Sequence, residues 1–217
     1  MTMARTKVLI VDDHPLVRQG LAARIAGEPD MEVCGEASGV DEALALLDAT
    51  EPALVIVDLT LKAGHGLNLV KKVSQRAPHT KILVLSAHEE ALFGERSIRA
   101  GAHGYVNKQE AQEKIVAAMR ALLRGEPYLS AETIQRLIGR TAGARSRDGG
   151  IESLSDRELE VFELIGRGKS TRSIAQKLHL SVHTIESHRE NIRAKLSLEN
   201  GAELVQRAVQ WVLEPRD

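Results

Sequence analysis

Cysteine is nearly absent from this chain of 217 residues, in which Cys34 is the only one. A single thiol excludes a disulfide framework and a zinc site built from cysteines. We expect Cys34 to be a buried residue of a strand. The eight histidines show no metal-site spacing either, because Ser181 interrupts the helix between His179 and His183.

Long hydrophobic runs are also missing. No apolar stretch approaches the roughly 20 residues that a membrane-spanning helix needs. The first residues lead directly into a strand pattern, without the apolar block of a secretory signal. We therefore expect a cytoplasmic protein with no membrane partner, long enough for one large or two modest domains.

An excess of charge of either sign is the third absence, since 29 basic side chains are balanced by 30 acidic ones. The balance hides a local asymmetry. Residues 167–195 carry seven basic and two acidic side chains, whereas the stretches on either side lean acidic. A compact basic patch of this kind is typical of an anion-binding face.

Residues 1–127 alternate short apolar runs with stretches of helical spacing. The expected strands are 7–12, 31–37, 53–58, 81–86 and 103–107. The expected helices are 15–27, 40–49, 66–76, 89–100 and 112–124. Five such units predict an α/β domain with a doubly wound, five-stranded parallel sheet.

A second, all-α domain is expected over 153–217. Between the two domains, residues 128–152 should form a short helix and a flexible linker, because 141–153 is rich in glycine, serine and charge. Ser155 and Glu158 have the spacing of a capping box that opens the first helix of the second domain.

Two further N-caps are expected at Ser170 and Ser181. They predict helices at about 171–179 and 182–196, joined by a very short turn. This is the helix-turn-helix pattern, and a last helix is expected at about 201–213.

Carboxylates follow two of the predicted strands. Asp12 and Asp13 come at the end of the first strand and Asp58 at the end of the third. In a flavodoxin-like sheet of strand order 2-1-3-4-5 these two ends are neighbours. Three carboxylates so close would raise one another's pKa unless a cation lay among them, and Mg²⁺ prefers such oxygen ligands. A simpler interpretation is that Asp13 or His14 only caps the first helix, with Pro15 as its first residue.

The ends of the remaining strands carry groups suited to phosphate chemistry. Ser86 closes the fourth strand with a hydroxyl group, and Lys108 follows the fifth with a compact cation. Asp58 could then accept a phosphoryl group as an acyl phosphate. The metal and Lys108 would neutralise the charge on the group transferred.

These residues at their strand ends resemble the receiver domain of two-component response regulators, over roughly 5–125. The resemblance implies that Asp58 is phosphorylated by a sensor histidine kinase with Mg²⁺ as cofactor. It implies that Tyr105 is the aromatic switch residue, which moves together with Ser86. It also implies that the backbone carbonyl of Thr60 completes the metal coordination begun by Asp12, Asp13 and Asp58.

The second helix of the helix-turn-helix pattern has two distinct faces on a helical wheel. Ile185, Ile192 and Leu196 make an inward stripe, and polar side chains occupy the opposite stripe. Basic side chains flank that polar stripe, as they would on a helix in the DNA major groove. Alternatively, the polar stripe is only the solvated face of a packing helix.

The segment over about 152–213 resembles the LuxR-type DNA-binding domain. Together, the groove geometry and the resemblance predict a set of DNA-contacting residues in the two helices and their caps. They are Ser170, Thr171, Arg172, His183, Thr184, Glu186, Ser187, Arg189, Glu190, Arg193 and Lys195. By the resemblance, Ser170, Thr171, Thr184 and Lys195 contact the backbone, and Glu186, Ser187 and Glu190 face the bases.

The two resemblances together identify a response regulator of the NarL/FixJ class. It is expected to bind double-stranded DNA as a homodimer, at least when phosphorylated or DNA-bound, and not to be an enzyme. Two alternatives stay open. One is a DNA-binding regulator that does not depend on phosphorylation. The other is an aspartyl-phosphate phosphohydrolase, disfavoured because such enzymes carry a second aspartate two positions after the nucleophile and this chain has no Asp-x-Asp.

Overall fold

The N-terminal part of the chain is built on a sheet of five parallel strands. In this computed structural model, which describes residues 5–61, 66–88, 90–141 and 150–213, the strand order is β2-β1-β3-β4-β5. The strands are β1 (Thr6–Val11), β2 (Met31–Ala37), β3 (Leu54–Asp58), β4 (Lys81–Ser86) and β5 (Gly104–Asn107). The predicted flavodoxin-like α/β fold is confirmed.

Helices cover both faces of this sheet. They are α1 (Pro15–Ala26), α2 (Val40–Thr50), α3 (Gly66–Arg76), α4 (Glu90–Arg99) and α5 (Ala111–Leu123). On one face, Ile25 of α1 and Met119 of α5 pack in a buried cluster with Ile10 and Ile56 of the central strands. On the other face, α2, α3 and α4 pack beside one another. Because both faces are covered, β3 is buried along its whole length, as is usual for a parallel sheet.

The prediction for Cys34 was wrong in part. The residue lies in β2, but it is only partly buried. The pairing of β1 with β2 shifts register at this point, since Val8 pairs with Val33 and Leu9 with Gly35. Cys34 is therefore the extra residue of a bulge, and its thiol lies 3.4 Å from the Thr50 hydroxyl.

The chain divides into two units, Met1–Ile138 and Gly139–Asp217. A further helix, α6 (Ala131–Thr141), begins in the first unit and crosses the boundary between the two. The central part of the expected flexible linker, residues 142–149, lies outside the described residues, and the predicted domain boundaries stay a prediction.

The second unit is helical. It contains a short 3₁₀ helix (Ile151–Ser153), α7 (Asp156–Gly166), α8 (Thr171–Leu178), α9 (Val182–Lys195) and α10 (Gly201–Leu213). The Ser155 capping box is present, and Ser170 and Ser181 each cap a helix by accepting a backbone N–H. The core includes Phe162, whose ring lies 5.4 Å from that of Trp211.

No membrane-spanning helix occurs within the described ranges, where every helix is too short or too polar to cross a bilayer.

Candidate acidic site and candidate nucleic-acid interface

The strand order brings the three predicted carboxylates together. β1 pairs with β3, and Val11 is the partner of Val57, so Asp12 and Asp13 emerge beside Asp58. Each of the three has at most 5% of its surface exposed. Carboxylate oxygens of all three lie within 4.8 Å of one another.

A glycine allows α3 to start against the end of β3. A Cβ atom on Gly66 would lie 2.1 Å from the backbone oxygen of Asp58, far inside van der Waals contact. The Gly66 N–H donates to the Leu59 carbonyl at 3.0 Å, and the Thr60 N–H donates to Asp58 Oδ1 at 3.1 Å. The backbone N–H of Thr60, just after the third strand, thus fixes the Asp58 side chain.

Lys108 bridges two of the acids, since its Nζ lies 2.6 Å from Asp58 Oδ2 and 2.7 Å from Asp12 Oδ2. Burial lowers the pKa of Lys108, but the two carboxylates outweigh this effect and raise that pKa above its ordinary value. The lysine therefore remains a cation at the position where sequence reasoning placed it.

Burial has the opposite effect on Asp58. It raises the pKa of this carboxyl group more than Lys108 lowers it, and the neighbouring Asp12 raises it further, to about 6. At neutral pH the group is therefore mostly ionised, but its charge is poorly solvated. A cation that binds beside this carboxylate, or an electrophile that reacts with it, therefore stabilises the site.

His14 joins this cluster, although the sequence suggested no role for it beyond capping. Its Nδ1 lies 2.8 Å from Asp13 Oδ1, 3.1 Å from Asp12 Oδ1 and 3.9 Å from Asp58 Oδ2. His14 does precede α1 as its N-cap residue with Pro15 next, but its side chain makes no capping hydrogen bond. The simpler interpretation is therefore right about the position of His14 as the N-cap residue before Pro15, but incomplete, because the ring lies among the acids.

The donor set fits a hard divalent cation. The carboxylate of Asp13 is buried, and neither of its oxygens accepts a hydrogen bond of normal geometry from any described residue. The His14 ring, 2.8 Å from Oδ1, approaches only that oxygen, and a buried acceptor that lacks a donor is costly. An ion among Asp12, Asp13 and Asp58 would remove that cost, and carboxylate oxygens are the ligands that Mg²⁺ prefers.

Ser86 and Tyr105 meet at a residue that sequence reasoning missed. Ser86 is fully buried, and its Oγ accepts the His88 N–H at 3.1 Å. The buried Tyr105 hydroxyl donates to the His88 carbonyl at 2.8 Å, which also accepts Asn107 Nδ2 at 3.1 Å. His88 Nε2 lies 3.4 Å from the Thr60 hydroxyl. In the sequence, His88 is marked only as a polar residue two positions after the end of β4. Such residues are too common to indicate a functional role.

Most of the residues predicted to contact DNA are accessible in α8 and α9. Ser170, Arg172, His183, Glu186 and Glu190 are exposed. Thr171, Thr184, Ser187, Arg189 and Arg193 are partly exposed. The predicted inward stripe is present in part. Ile185 and Ile192 are fully buried, whereas Leu196, which follows the last residue of α9, is only partly buried.

Lys195 has a partner within the protein. Its Nζ lies 2.6 Å from Glu158 Oε2, and the same oxygen accepts the N–H of Ser155 in the capping box. Burial raises the pKa of Glu158, but the hydrogen bonds from Lys195 and Ser155 outweigh it and hold that pKa below its usual value. The lysine predicted to contact DNA thus also fastens the end of α9 to the start of α7.

Arg193 and Arg189 also make intramolecular contacts. Arg193 donates to the Glu199 carbonyl at 2.8 Å, and Arg189 Nε lies 3.6 Å from the Glu186 carboxylate. Both residues are nevertheless partly exposed.

Both units match known families. Residues 8–120 match the family model of the response regulator receiver domain, and residues 152–208 match that of the luxR family of bacterial regulatory proteins. The oxygen regulatory protein NreC of Staphylococcus haemolyticus is 33% identical over 210 residues, which are 94% of this chain and 97% of that protein. The response regulator GacA of Pseudomonas aeruginosa is 33% identical over 204 residues, 94% of this chain and 95% of that protein.

Solved structures are similar over nearly the whole chain. RcsB of Salmonella enterica serovar Typhimurium, bound to the promoter rprA in the presence of phosphomimetic BeF₃⁻, aligns with a TM-score of 0.61 and 27% identity, covering 95% of this chain and 99% of that chain. A structure of two RcsB dimers bound to two parallel DNAs aligns with a TM-score of 0.57 and 27% identity, covering 94% of this chain and 97% of that chain.

Proposed function

The chain belongs to the NarL/FixJ class of response regulators, which join a receiver domain to a LuxR-type DNA-binding domain, and we propose that phosphorylation of Asp58 by a sensor histidine kinase controls its binding to double-stranded DNA. The observation that carries this proposal is the buried Asp58 carboxylate, which lies beside two further acids and within 2.6 Å of the Lys108 ammonium.

Asp58 is the nucleophile: its ionised carboxylate attacks the phosphorus of the phosphohistidine. The new P–O bond forms as the P–N bond breaks, and the kinase imidazole leaves with the electron pair and takes up a proton. The Lys108 ammonium is close enough to donate a hydrogen bond to one oxygen of the transferred phosphoryl group. The Ser86 hydroxyl can donate a hydrogen bond to another. Asp12, Asp13, Asp58 and the Thr60 carbonyl would hold Mg²⁺. When bound, this ion supplies positive charge that stabilises the charge on the phosphoryl oxygens.

The proposal is tested by incubating the full chain with acetyl phosphate and Mg²⁺ and measuring the intact mass. Wild type should gain the mass of one phosphoryl group, and Asp58→Asn should gain none. Asp48→Asn is a matched control, because Asp48 is an exposed acid of α2 that pairs with Arg76, and this variant should be phosphorylated like wild type. The assignment fails if wild type gains no phosphate or if Asp58→Asn still does.

DNA binding by the second unit is supported by the exposed polar face of α9 and the basic side chains beside it. Ser170 and Thr171 at the start of α8 and Thr184 and Lys195 on α9 are proposed to contact phosphates. Glu186, Ser187 and Glu190 are proposed to face bases, with His183 at the same stripe. Arg172, Arg189 and Arg193 are proposed as further contacts, since basic side chains bind phosphates without reading sequence.

The interface is tested by selecting bound fragments from random DNA and then measuring affinity as a function of salt. Arg172→Ala should weaken binding to all sequences and make the salt dependence less steep by about one counterion. Glu190→Ala should instead change which base is preferred. If neither variant alters affinity, salt dependence or preference, the groove-binding hypothesis is wrong.

Comparison of DNA affinity before and after phosphorylation decides whether the receiver controls binding. An equal affinity in both states would favour the alternative regulator that does not depend on phosphorylation.

We propose a homodimer on DNA, as in the RcsB structure that contains dimers, and sedimentation of the protein–DNA complex measures its stoichiometry.

A further inference from the structure

The chain that leaves α5 returns to the sheet and adds to its open edge. The Tyr105 N–H donates to the Tyr128 carbonyl at 2.9 Å, and the Tyr128 N–H donates to the His103 carbonyl at 3.3 Å. Gly104 and Tyr128 form a parallel bridge. The strand that carries Tyr105 is therefore bonded through its backbone to the segment that leads into α6.

A glycine makes this approach possible. A Cβ atom on Gly104 would lie 3.0 Å from the Tyr128 carbonyl oxygen and 3.1 Å from the Tyr128 Cβ. Both distances are tighter than ordinary contacts, so a side chain here would push the returning segment away. The absence of a side chain lets Tyr128 lie directly on β5.

The same segment is held a second time, at the first residue of α4. Glu90 Oε1 accepts the Ser130 N–H at 2.7 Å and the Ser130 hydroxyl at 2.8 Å. Ser130 Oγ in turn accepts the Thr133 N–H at 3.2 Å and so caps α6. Hydrogen bonds to an ionised acceptor are stronger than neutral ones.

α6 also packs closely on α4. Thr133 is 2% exposed, and a Cβ atom on Gly94 would lie 3.3 Å from its methyl group. A side chain at Gly94 would therefore press on the start of α6. The segment 126–133, named here the return segment, thus contacts both β5 and α4.

Both of these attachments lead to the phosphorylation site. His88 joins Ser86 Oγ through its N–H and the Tyr105 hydroxyl through its carbonyl, and Glu90 follows two residues later in the chain. When the Ser86 hydroxyl turns toward a phosphoryl group on Asp58, it leaves the His88 N–H. The β4–α4 connection that carries Glu90 then loses one of the hydrogen bonds that hold His88 to the sheet.

We propose that Glu90 and Tyr128 are positioning residues that hold the return segment against α4 and β5 in the unphosphorylated protein, and that phosphorylation of Asp58 releases it. This inference rests on the proposed function, because it requires that Asp58 be phosphorylated. The return segment is then the element through which the change reaches the chain that continues toward the second unit.

Hydrogen exchange measured by mass spectrometry on the full chain tests this proposal. Without phosphodonor, peptides over 126–134 should be protected. After incubation with acetyl phosphate and Mg²⁺, their exchange should become about tenfold faster, as expected when a hydrogen bond to a charged group is lost, whereas exchange over 8–11 in β1 should not change. Intact mass on the same sample gives the fraction phosphorylated.

Variants separate a coupling role from a merely structural one. Glu90→Gln removes the charge that accepts both Ser130 donors, and it should speed exchange over 130–134 about tenfold before any phosphorylation. Phosphorylation should then add little in this variant. Ser130→Ala should act in the same direction, and Ser130→Thr, which keeps the hydroxyl, should restore protection. Glu113→Gln, on the exposed face of α5, should behave like wild type.

The outcomes are distinguishable. If Asp58 gains no phosphate, the proposed function and this inference both fail. If Asp58 is phosphorylated but exchange over 126–134 stays the same or slows, only the inference is overturned. The inference also fails if Glu90→Gln leaves exchange unchanged, or if phosphorylation accelerates exchange in Glu90→Gln as much as in wild type.

Discussion

The buried charge of Asp58 destabilises the folded state. The pKa of this carboxyl group is raised from 3.8 to about 6, first by burial and then by Asp12, against the opposing effect of Lys108. A carboxyl group with a higher pKa in the folded protein binds its proton more tightly there. The folded state therefore loses stability as the pH rises from 3.8 to about 6.

Asp58→Asn should consequently stabilise the first unit when divalent cations are absent. At pH 7.5 the gain in the free energy of unfolding should reach up to about 3 kcal/mol, because each pKa unit corresponds to about 1.4 kcal/mol. At pH 4 the gain should nearly vanish, since the wild-type carboxyl is then protonated when folded. Urea unfolding at both pH values, in EDTA, measures the difference; an equal effect at the two values would show that the buried charge is not its cause.

Lys195 has a structural contact that complicates its predicted role at DNA. Lys195→Ala leaves the buried Glu158 without its cation, and the second unit should lose roughly 1–3 kcal/mol of stability. The pKa of Glu158 is held below its usual 4.5, so the stability from this pair is present above pH 4.5 and is lost as the pH falls through the lower folded value.

Thermal unfolding of wild type and Lys195→Ala over a range of pH checks this prediction. The two proteins should differ at pH 7 and converge in acid. Lys177→Ala is a control, because Lys177 is an exposed lysine of α8 and should change stability little. A difference that persists unchanged at low pH would contradict the ion-pair explanation. DNA affinity of Lys195→Ala is informative only at temperatures where the variant is folded.

At the scale of elements, some helices can pack closely only because one of them has a glycine at the contact. The sequence alone does not show which glycines have this role. A Cβ atom on Gly166 would lie 2.4 Å from the Ala208 carbonyl oxygen and 2.6 Å from a Val212 methyl group, so α7 and α10 can meet only because this side chain is absent. Gly20 in α1 has nothing within 4 Å of the same position.

The two glycines should therefore respond in opposite ways to alanine. Gly166→Ala should destabilise the second unit by roughly 1–3 kcal/mol, because α10 must move. Gly20→Ala should stabilise the first unit by about 0.5–1 kcal/mol, because glycine is a poor residue inside a helix. Denaturant unfolding measures both; destabilisation by Gly20→Ala, or tolerance of Gly166→Ala, would contradict the helix packing described.

Element positions were largely predictable because their signals are local. The helix 66–76 and the strand 31–37 have the predicted bounds, since apolar spacing and flanking polar residues mark both ends. The bulge at Cys34 was not predictable. It arises from the register between two strands whose residues are more than twenty positions apart, and the pattern of one strand cannot show how its neighbour aligns.

For the whole molecule, the division into two units has a thermodynamic consequence. A ligand that binds one unit stabilises that unit by mass action. The proposed Mg²⁺ site lies wholly in the first unit, among Asp12, Asp13 and Asp58. Calorimetry of the full chain should therefore show that Mg²⁺ raises the unfolding temperature of one transition and leaves the other unchanged.

The expected stabilisation is about 2.7 kcal/mol at an ion concentration one hundred times the dissociation constant. Asp13→Asn should abolish most of this shift, and Asp156→Asn, in the second unit, should retain it. A shift of both transitions together would mean that the two units unfold as one, and no shift in wild type would contradict the metal site.

The sequence by itself determined where each acid, hydroxyl and lysine stands along the chain. Apolar period, strand ends and caps are local properties, so Asp12, Asp58, Ser86 and Lys108 could be assigned to one edge of a parallel sheet. Tertiary structure alone decided which of these groups touch. His14 joins the acids, His88 links Ser86 to Tyr105, Lys195 pairs with Glu158, and Tyr128 extends the sheet beside β5. Each of these contacts depends on the path of a loop or the packing of a helix, and such long-range geometry leaves no periodic mark in the sequence.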